Sequence, residues 1–395
     1  MRRLFSIENL TFIAIILGIL SGVYLKDIVI NLKLVGNAFL NLLKMITIPL
    51  IFASIFVSIA SLASIKDIKD MGIKAIVYYF STTALAVFTG IVVVNFINFS
   101  PVDGMNLSSD GFEHKKFTVE ALIQSFIPSN IFQSLVEGKV LHVIIFSILF
   151  AIAVLKLQQS KKEVITRFFE GVNDSMLTVA KWIINLSPLG VFALVSYIVA
   201  DKGLGSILSL WQYVLAVVVG LLIHAVFNLG LIGFLFGKFN PLSYFTKVKE
   251  ALLIAFSTSS SSATLPVTLE VAEERAKIDK KTAGFVLPLG ATINMDGTAL
   301  YEAVAAMFIA SLYGIELSIG EQIIIFFTAS LAAVGAAGIP SAGLVTMTLV
   351  FTAVGIPLEG IAIILAVDRF LDMLRTATNV WGDLIGAKII SRFVR

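Results

Sequence analysis

No cysteine occurs among the 395 residues, which excludes disulfides and thiolate metal centres. Charge is scarce too: 14% of residues are charged and the formal net charge is +3, too small an excess to recruit nucleic acid. The rest of the chain is dominated by apolar residues. With 58% hydrophobic residues and a mean hydropathy of +0.97, it carries more apolar surface than a soluble globule of this length uses, in stretches that recur from end to end. A multi-pass protein embedded in a lipid bilayer follows. The opening Met1-Arg2-Arg3 and the apolar run Thr11 to Tyr24 lack a small-residue cleavage site, so the run reads as a retained first helix.

The apolar runs predict an all-α protein with eight transmembrane helices and two re-entrant helical hairpins. Helices are expected at about Ile7 to Tyr24, Leu34 to Leu62 (kinked at Pro49), and Ile73 to Ile97. A polar loop with Pro101, Gly104 and Gly111 comes next, then a fragmented fourth helix in two pieces, Thr118 to Val136 and Val140 to Leu157. The fifth, Lys162 to Ile198, is amphipathic at first and broken near Ser187-Pro188; the sixth, Ile207 to Phe236, is apolar except for His224 and Asn228. A lone His in such a helix reads as a hydrogen-bonded interior residue before it reads as a ligand. Lys and Arg concentrate in alternate connections, which places both termini in the cytoplasm.

The pattern changes after Gly237. From Phe245 to Arg275, two apolar arms too short to span flank FSTSSSSATLP, so a hairpin with the serine run at its tip is expected rather than a linker. The seventh helix, Thr282 to Tyr313, is interrupted by GATINMDGTALYE, and a second hairpin, Ile323 to Val354, by AAVGAAGIPSAG. Interrupted backbone survives at membrane depth only where it lines a cavity or is buried in protein. Paired interruptions point to a midplane binding site between repeats.

The eighth helix, about Ala362 to Ile390, carries Asp368, Arg369, Asp372, Arg375 and Asp383. At about 100° per residue, Asp368, Asp372, Arg375, Asn379 and Asp383 share one wedge of roughly 100°. An ionised group in a membrane costs at least about 2.5–3.5 kcal/mol on insertion scales, so such groups mark function unless they pair internally, as Asp372 and Arg375 could between two helices. Free hairpin amides attract carboxylates. Asp372 can hold an ammonium, and Arg375 can grip a second carboxylate with two parallel hydrogen bonds. Together they describe an α-amino acid with an acidic side chain. Asp296 and Asp383, with Asn294 and Asn379, supply hard oxygen ligands of the kind alkali cations take. Glu302, one turn beyond, is either a proton carrier or the partner of a cation such as Arg369.

The motifs NMDGTALYEA, SSSSATLPVT, GAAGIPSAG and DRFLDMLRTATNVWGD, in this order, resemble the dicarboxylate/amino acid:cation symporter family, which includes animal excitatory amino acid transporters and archaeal aspartate transporters. The resemblance implies a homotrimer working as an elevator: residues 1–72 and 118–200 form a fixed scaffold, while residues 73–98 and 206–395 form a moving transport domain. It implies substrate contacts at Ser260, Ser261, Thr298, Gly338, Pro340, Gly343, Asp372, Arg375, Thr376 and Asn379. Sodium ions, by the same resemblance, take about three sites. One is Gly290, Asn294, Asn379 and Asp383; another is Tyr79, Thr82, Thr83, Asn294 and Asp296; the last is backbone of Thr292, Ala333, Val334 and Ala336. No organic cofactor is implied.

Two departures stand out. Archaeal members carry Arg at the first hairpin tip, here Ser259, and animal members carry Arg directly after the Asp, here Met373; Arg369 is the nearest replacement. Glu302 matches the residue used for proton coupling in animal members. The expected function is sodium-coupled symport of aspartate or glutamate in a prokaryotic inner membrane, with a proton-coupled dicarboxylate or amino acid carrier of the same fold as the alternative. An intramembrane aspartyl protease using Asp368 and Asp383 is disfavoured, because WGDLIG replaces its GxGD motif and Arg375 would keep a neighbouring carboxylate ionised. A passive channel needs one gate where two broken hairpins supply two.

Overall fold

The chain is seen in a computed structural model that describes residues 7–62, 69–97, 99, 127–137, 139–203, 210–335 and 342–393. Among the described residues there are helices and no strands. In chain order we label α1 (Ile7–Tyr24), α2 (Lys33–Leu62), α3 (Lys69–Phe96), α4 (Val140–Leu155), α5 (Gln159–Asn185), α6 (Ser187–Lys202) and α7 (Leu210–Gly237). After these come α8 (Pro241–Thr258), α9 (Ser261–Glu270), α10 (Lys280–Ile293), α11 (Asp296–Leu312), α12 (Ile319–Ala332), α13 (Ala342–Val354) and α14 (Gly360–Phe393).

Among the described residues four helices are long and apolar enough to cross a bilayer: Lys26–Val57, Met71–Phe96, Leu210–Gly237 and Lys280–Leu312. A fifth arises if α5 and α6, bent by 52° at Ser187, are one broken span. The bend has a local cause, since Pro188 stands in the first turn of α6 and donates no backbone hydrogen bond to α5. Helix α14 has 34 residues, ample for a span. Its charges remove it from any test based on apolarity. The fourth expected helix begins, within the described residues, as a short turn at Ile131–Val136, whose N-cap Asn130 accepts from Phe132 N at 2.9 Å, and continues as α4.

Small residues set the packing of α1 and α2 on α6. A Cβ added at Gly22 would lie 2.6 Å from Val199 Cβ and 2.9 Å from the Ser196 carbonyl, and one at Gly18 would lie 3.1 Å from Val195 Cβ. Four residues apart, these two glycines lie on one face of α1 and let the helix backbones meet, as small-xxx-small pairs do in membranes. Helix α2 joins α4 and α5 through Phe52, Phe56, Phe146, Phe150 and Phe169, with Phe56 and Phe169 centroids 4.3 Å apart.

The second half packs around α11 and α14. Every residue of α11 except Ser311 is buried. The serine run makes the turn between α8 and α9: Ser259 takes the left-handed conformation that ends α8 (φ 50°), and Ser260 caps α9 by accepting from Ala263 N at 3.1 Å. Helices α8 and α9 then pack on one another. Between α10 and α11 the helix breaks at Asn294 and Met295, where the sequence interrupts its apolar run. Helix α12 starts from a Ser318/Glu321 capping box, ends in a tight turn at Ala333–Gly335 and packs on α13. Gly338, Pro340 and Ala336 lie outside the described residues.

Substituting Gly22 by Leu forces side-chain atoms into the α1–α6 contact, where overpacking costs about 1–3 kcal/mol. The expected result is a lower apparent melting temperature in detergent and loss of the monodisperse peak on size-exclusion chromatography. An unchanged melting curve would show that α1 does not depend on this close approach.

Candidate functional site

The polar wedge of α14 is buried against α11. Asp368, Asp372, Arg375, Thr376, Asn379 and Asp383 are all buried, and Arg375 has no exposed surface. Its guanidinium Nη2 donates to Asp372 Oδ1 at 2.7 Å and lies 3.1 Å from Asp368 Oδ1. The plane rests on the Tyr301 ring, 3.7 Å from its centroid. Tyr301 in turn donates its hydroxyl to Asp368 Oδ1 at 2.7 Å. Asp372 and Arg375 are therefore paired within one helix, so their ion pair ties no second helix to α14; the tie between helices runs through Tyr301. Among the described residues Arg375 Nε and Nη1 have no hydrogen-bond partner. Buried N–H groups of this kind point to a ligand.

The nearest part of α13 is Gly343, where an added Cβ would come within 3.3 Å of Arg375 Nη1 and 3.1 Å of the Thr298 methyl. Thr298 and Gly343 thus stand beside the guanidinium. Ser260 and Ser261 are buried at the start of α9, which packs on α14. Thr376 is buried next to Arg375.

One turn on, Asn379 links two groups of residues. Its Oδ1 accepts from Gly297 N at 2.7 Å, and its amide nitrogen is 3.4 Å from Thr298 Oγ1 and 3.3 Å from Met295 Sδ. Its backbone carbonyl is 3.4 Å from Asn294 Nδ2, which also donates to Asp383 Oδ1 at 2.8 Å. Asn294 Oδ1 is buried and has no hydrogen-bond partner among the described residues. At Gly290 a Cβ would overlap the Asp383 carboxylate and lie 2.6 Å from the Tyr79 hydroxyl. Gly290, Asn294, Asn379 and Asp383 are therefore neighbours, and Asn294 Oδ1 among them is an orphaned acceptor.

Asp296 organises the neighbouring set. Its Oδ1 accepts from Thr83 Oγ1 at 2.7 Å and Thr82 Oγ1 at 3.2 Å. Tyr79 donates to the Val286 carbonyl at 2.9 Å and sits against Gly290, between the two sets. Of the last expected set, Ala333 and Val334 are buried in a turn that packs on α10, while Thr292 is exposed and spends its hydroxyl on the Leu289 carbonyl at 2.8 Å. Among the described residues no three of His, Cys, Asp and Glu form a group able to hold a metal. Carbonyl, amide and hydroxyl oxygens beside single carboxylates suit alkali cations rather than transition metals.

Glu302 is buried, and Oε1 accepts from the hydroxyl of Thr346 on α13; Oε2 has no hydrogen-bond partner among the described residues. Arg375 is held by Asp368, Asp372 and Tyr301, and Arg369 lies half-buried on the same helix. Asp368 and Tyr301 as partners of Arg375, and Thr346 as partner of Glu302, were not expected. The signals existed only for the first two: Asp368 shares the charged wedge, and Tyr301 lies within NMDGTALYE. His224, expected as an interior hydrogen-bonding residue, is buried with Nε2 at 3.2 Å from Asp296 Oδ2.

The chain matches the model of the sodium:dicarboxylate symporter family over residues 8–393. It is 35% identical to "Excitatory amino acid transporter 1" of Ambystoma tigrinum, the alignment covering 98% of this chain and 82% of the relative. It is 33% identical to "Proton/sodium-glutamate symport protein" of Bacillus subtilis (strain 168), with 100% and 94% covered. Against "Excitatory amino acid transporter 3" of Mus musculus it is 36% identical, with 97% and 84% covered.

The junction of α11 with α14 yields a prediction. A Cβ on Gly297 would lie 2.7 Å from the Arg375 carbonyl and 2.9 Å from its Cα, both backbone atoms that cannot rotate away. Gly297→Ala should push α11 off α14, cost about 1–3 kcal/mol and weaken substrate and cation binding together. Thermal unfolding in detergent and ligand titration of the same sample test this; wild-type values in both would contradict the close packing.

Proposed function

The chain belongs to the sodium:dicarboxylate symporter family, and on that premise we propose that it is a secondary active symporter, not an enzyme, that carries aspartate or glutamate with sodium ions. The observation that carries this reading is Arg375: a fully buried guanidinium with two unpartnered nitrogens among the described residues, beside Gly343 and Thr298. The free Nη1, on the side of Gly343 and Thr298, donates a charge-assisted hydrogen bond to the side-chain carboxylate of the substrate. Asp372, one turn away, takes the ammonium, and Thr298, Thr376 and Asn379 with Ser260, Ser261 and hairpin backbone at Gly338, Pro340 and Gly343 hold the rest of the amino acid.

Coupling follows from shared residues. Asn379 belongs to the substrate set through Thr298 and to the cation set through its carbonyl beside Asn294 and Asp383. A sodium ion drawn by Asp383, Asn294 Oδ1 and the Gly290 carbonyl fixes Asn379, which holds Gly297 and thereby the start of α11. Further sodium ions are assigned to Tyr79, Thr82, Thr83, Asn294 and Asp296, and to Thr292, Ala333, Val334 and Ala336. Glu302, with a single hydroxyl donor described for it, is assigned to carry a proton; the printed name of the Bacillus subtilis relative includes both ions.

The finer architecture belongs to the same proposal: eight transmembrane helices, two re-entrant hairpins at α8–α9 and α12–α13, both termini cytoplasmic, in the cell inner membrane. Residues 1–72 and 118–200 would form the trimerising scaffold of a homotrimer. Residues 73–98 and 206–395 would move across the membrane as the transport domain.

Radiolabelled aspartate uptake into proteoliposomes tests the function, and it should require an inward sodium gradient. Uptake driven by a proton gradient alone would replace this reading with the proton-coupled carrier. Arg375→Cys should lose acidic substrates, since truncating one partner of a buried charged hydrogen bond costs about 2–5 kcal/mol, while retaining binding of a neutral amino acid. Intact aspartate affinity in that variant would refute the role of Arg375. Asp383→Asn should raise the sodium concentration for half-maximal binding by about tenfold or more with little change in substrate preference. A sodium titration of aspartate binding reads this out.

A further inference from the structure

Helix α7 contains two π-helical stretches, Ile223–Asn228 and Gly233–Gly237. A π-turn widens the helix, frees a carbonyl from the regular ladder and often marks a functional position. Here Leu229 N bonds to the His224 carbonyl five residues back, and the Ala225 carbonyl accepts from the Trp381 indole of α14 at 3.0 Å. The widened turn is thus clasped by the helix that carries the charged wedge, and it turns His224, which has no exposed side-chain surface, onto Asp296.

The hydrogen bonds around this histidine have one self-consistent polarity. Thr89 of α3 donates its hydroxyl to the Leu85 carbonyl at 2.7 Å, so its oxygen is left to accept. Asn228 Nδ2 donates to that oxygen at 2.7 Å, and the same amide nitrogen is 3.3 Å from His224 Nδ1. Nδ1 therefore accepts, and Nε2 carries the proton that it directs at Asp296 Oδ2, 3.2 Å away. With Thr82 and Thr83 on Oδ1, the carboxylate is held by donors from α3 and α7 at once.

We infer that His224 is a positioning residue for sodium coupling: through Nε2–H it fixes the Asp296 carboxylate in its cation-binding orientation, and Asn228 with Thr89 fixes its tautomer. This rests on the reading of Asp296 as a cation ligand given above. His224 itself touches neither ion nor substrate. It occupies the place that a carboxylate or carbonyl takes behind a metal-bound histidine, with the roles exchanged, and outer partners of this kind are worth about 10–100-fold in ion affinity.

The experiment is a sodium titration of aspartate binding by isothermal calorimetry on the purified full-length protein in detergent. His224→Phe keeps a ring without a donor, His224→Gln keeps an amide donor, and Asn228→Ala leaves the imidazole without its tautomer-fixing partner. His224→Phe should raise the half-saturating sodium concentration about tenfold or more, while aspartate affinity at saturating sodium stays within about threefold of wild type. His224→Gln should recover most of the difference, and Asn228→Ala should shift sodium dependence in the same direction by a smaller factor. A folded His224→Phe protein with wild-type sodium dependence overturns the inference. If that variant does not give a monodisperse peak, Asn228→Ala decides, and its having no effect overturns the inference equally. Wild-type binding that is indifferent to sodium would instead sink the symporter reading itself.

Discussion

A guanidinium with no exposed surface inside an apolar helix bundle is the constraint on which the other features depend. Moving Arg375 out of water costs several kcal/mol, which only partners can offset. Asp372 supplies a bond from the same helix, Asp368 a second carboxylate one turn further back, and Tyr301 of α11 an aromatic face below the plane. Tyr301 then spends its hydroxyl on Asp368, so the cluster closes on itself through two helices. The cluster ties α11 to α14, while α3, α7, α12 and α13 cover the other faces of α11, so that nearly all of it is buried.

The cluster also explains why cations accompany the substrate. Asp296, Asp368, Asp372 and Asp383 lie in one buried region with Arg375 as the fully buried cation among them. A dicarboxylic amino acid adds one further net negative charge. In a low-dielectric interior like charges repel strongly, so the loaded site is stable only when cations enter too. Under the proposed function, sodium coupling becomes a condition for binding an acidic solute beside these carboxylates, and Asn379, bonded to both groups of residues, would transmit it.

Much of this was legible in the sequence, for identifiable reasons. Helix α14 runs Gly360–Phe393 around the expected Ala362 to Ile390, because charged residues at helical spacing on one face announce both the helix and its buried side. The turn between α8 and α9 was legible because serine both ends one helix and caps the next, as Ser259 and Ser260 do. The break before Asp296 followed from polar residues at a depth where hydrocarbon is expected. The tie from Tyr301 to Asp368 was not legible, since the two lie 67 residues apart and each has an innocent local explanation. Nor were the π-turns of α7, since hydrophobic periodicity does not separate an i→i+5 turn from an α-turn over so few residues. For the same reason His224 could be recognised as an interior residue without its partner being named.

Those hidden features share a physical origin. Each is a contact between helices whose axes approach closely: a Cβ at Gly382 would lie 2.9 Å from Asn294 Nδ2 and 3.1 Å from Asp296 Oδ2. A side chain there would occupy the space between the carboxylate and α14. The polar atoms of α3, α7, α11 and α14 can converge on Asp296 and Asp383 because glycines at positions 290, 297 and 382 keep that space open. Packing density elsewhere in a membrane bundle is set by apolar surface and tolerates exchange of one apolar residue for another. Around these carboxylates it is set by backbone contact, so the site's geometry is carried by residues with no side chain as much as by those whose chemistry it displays.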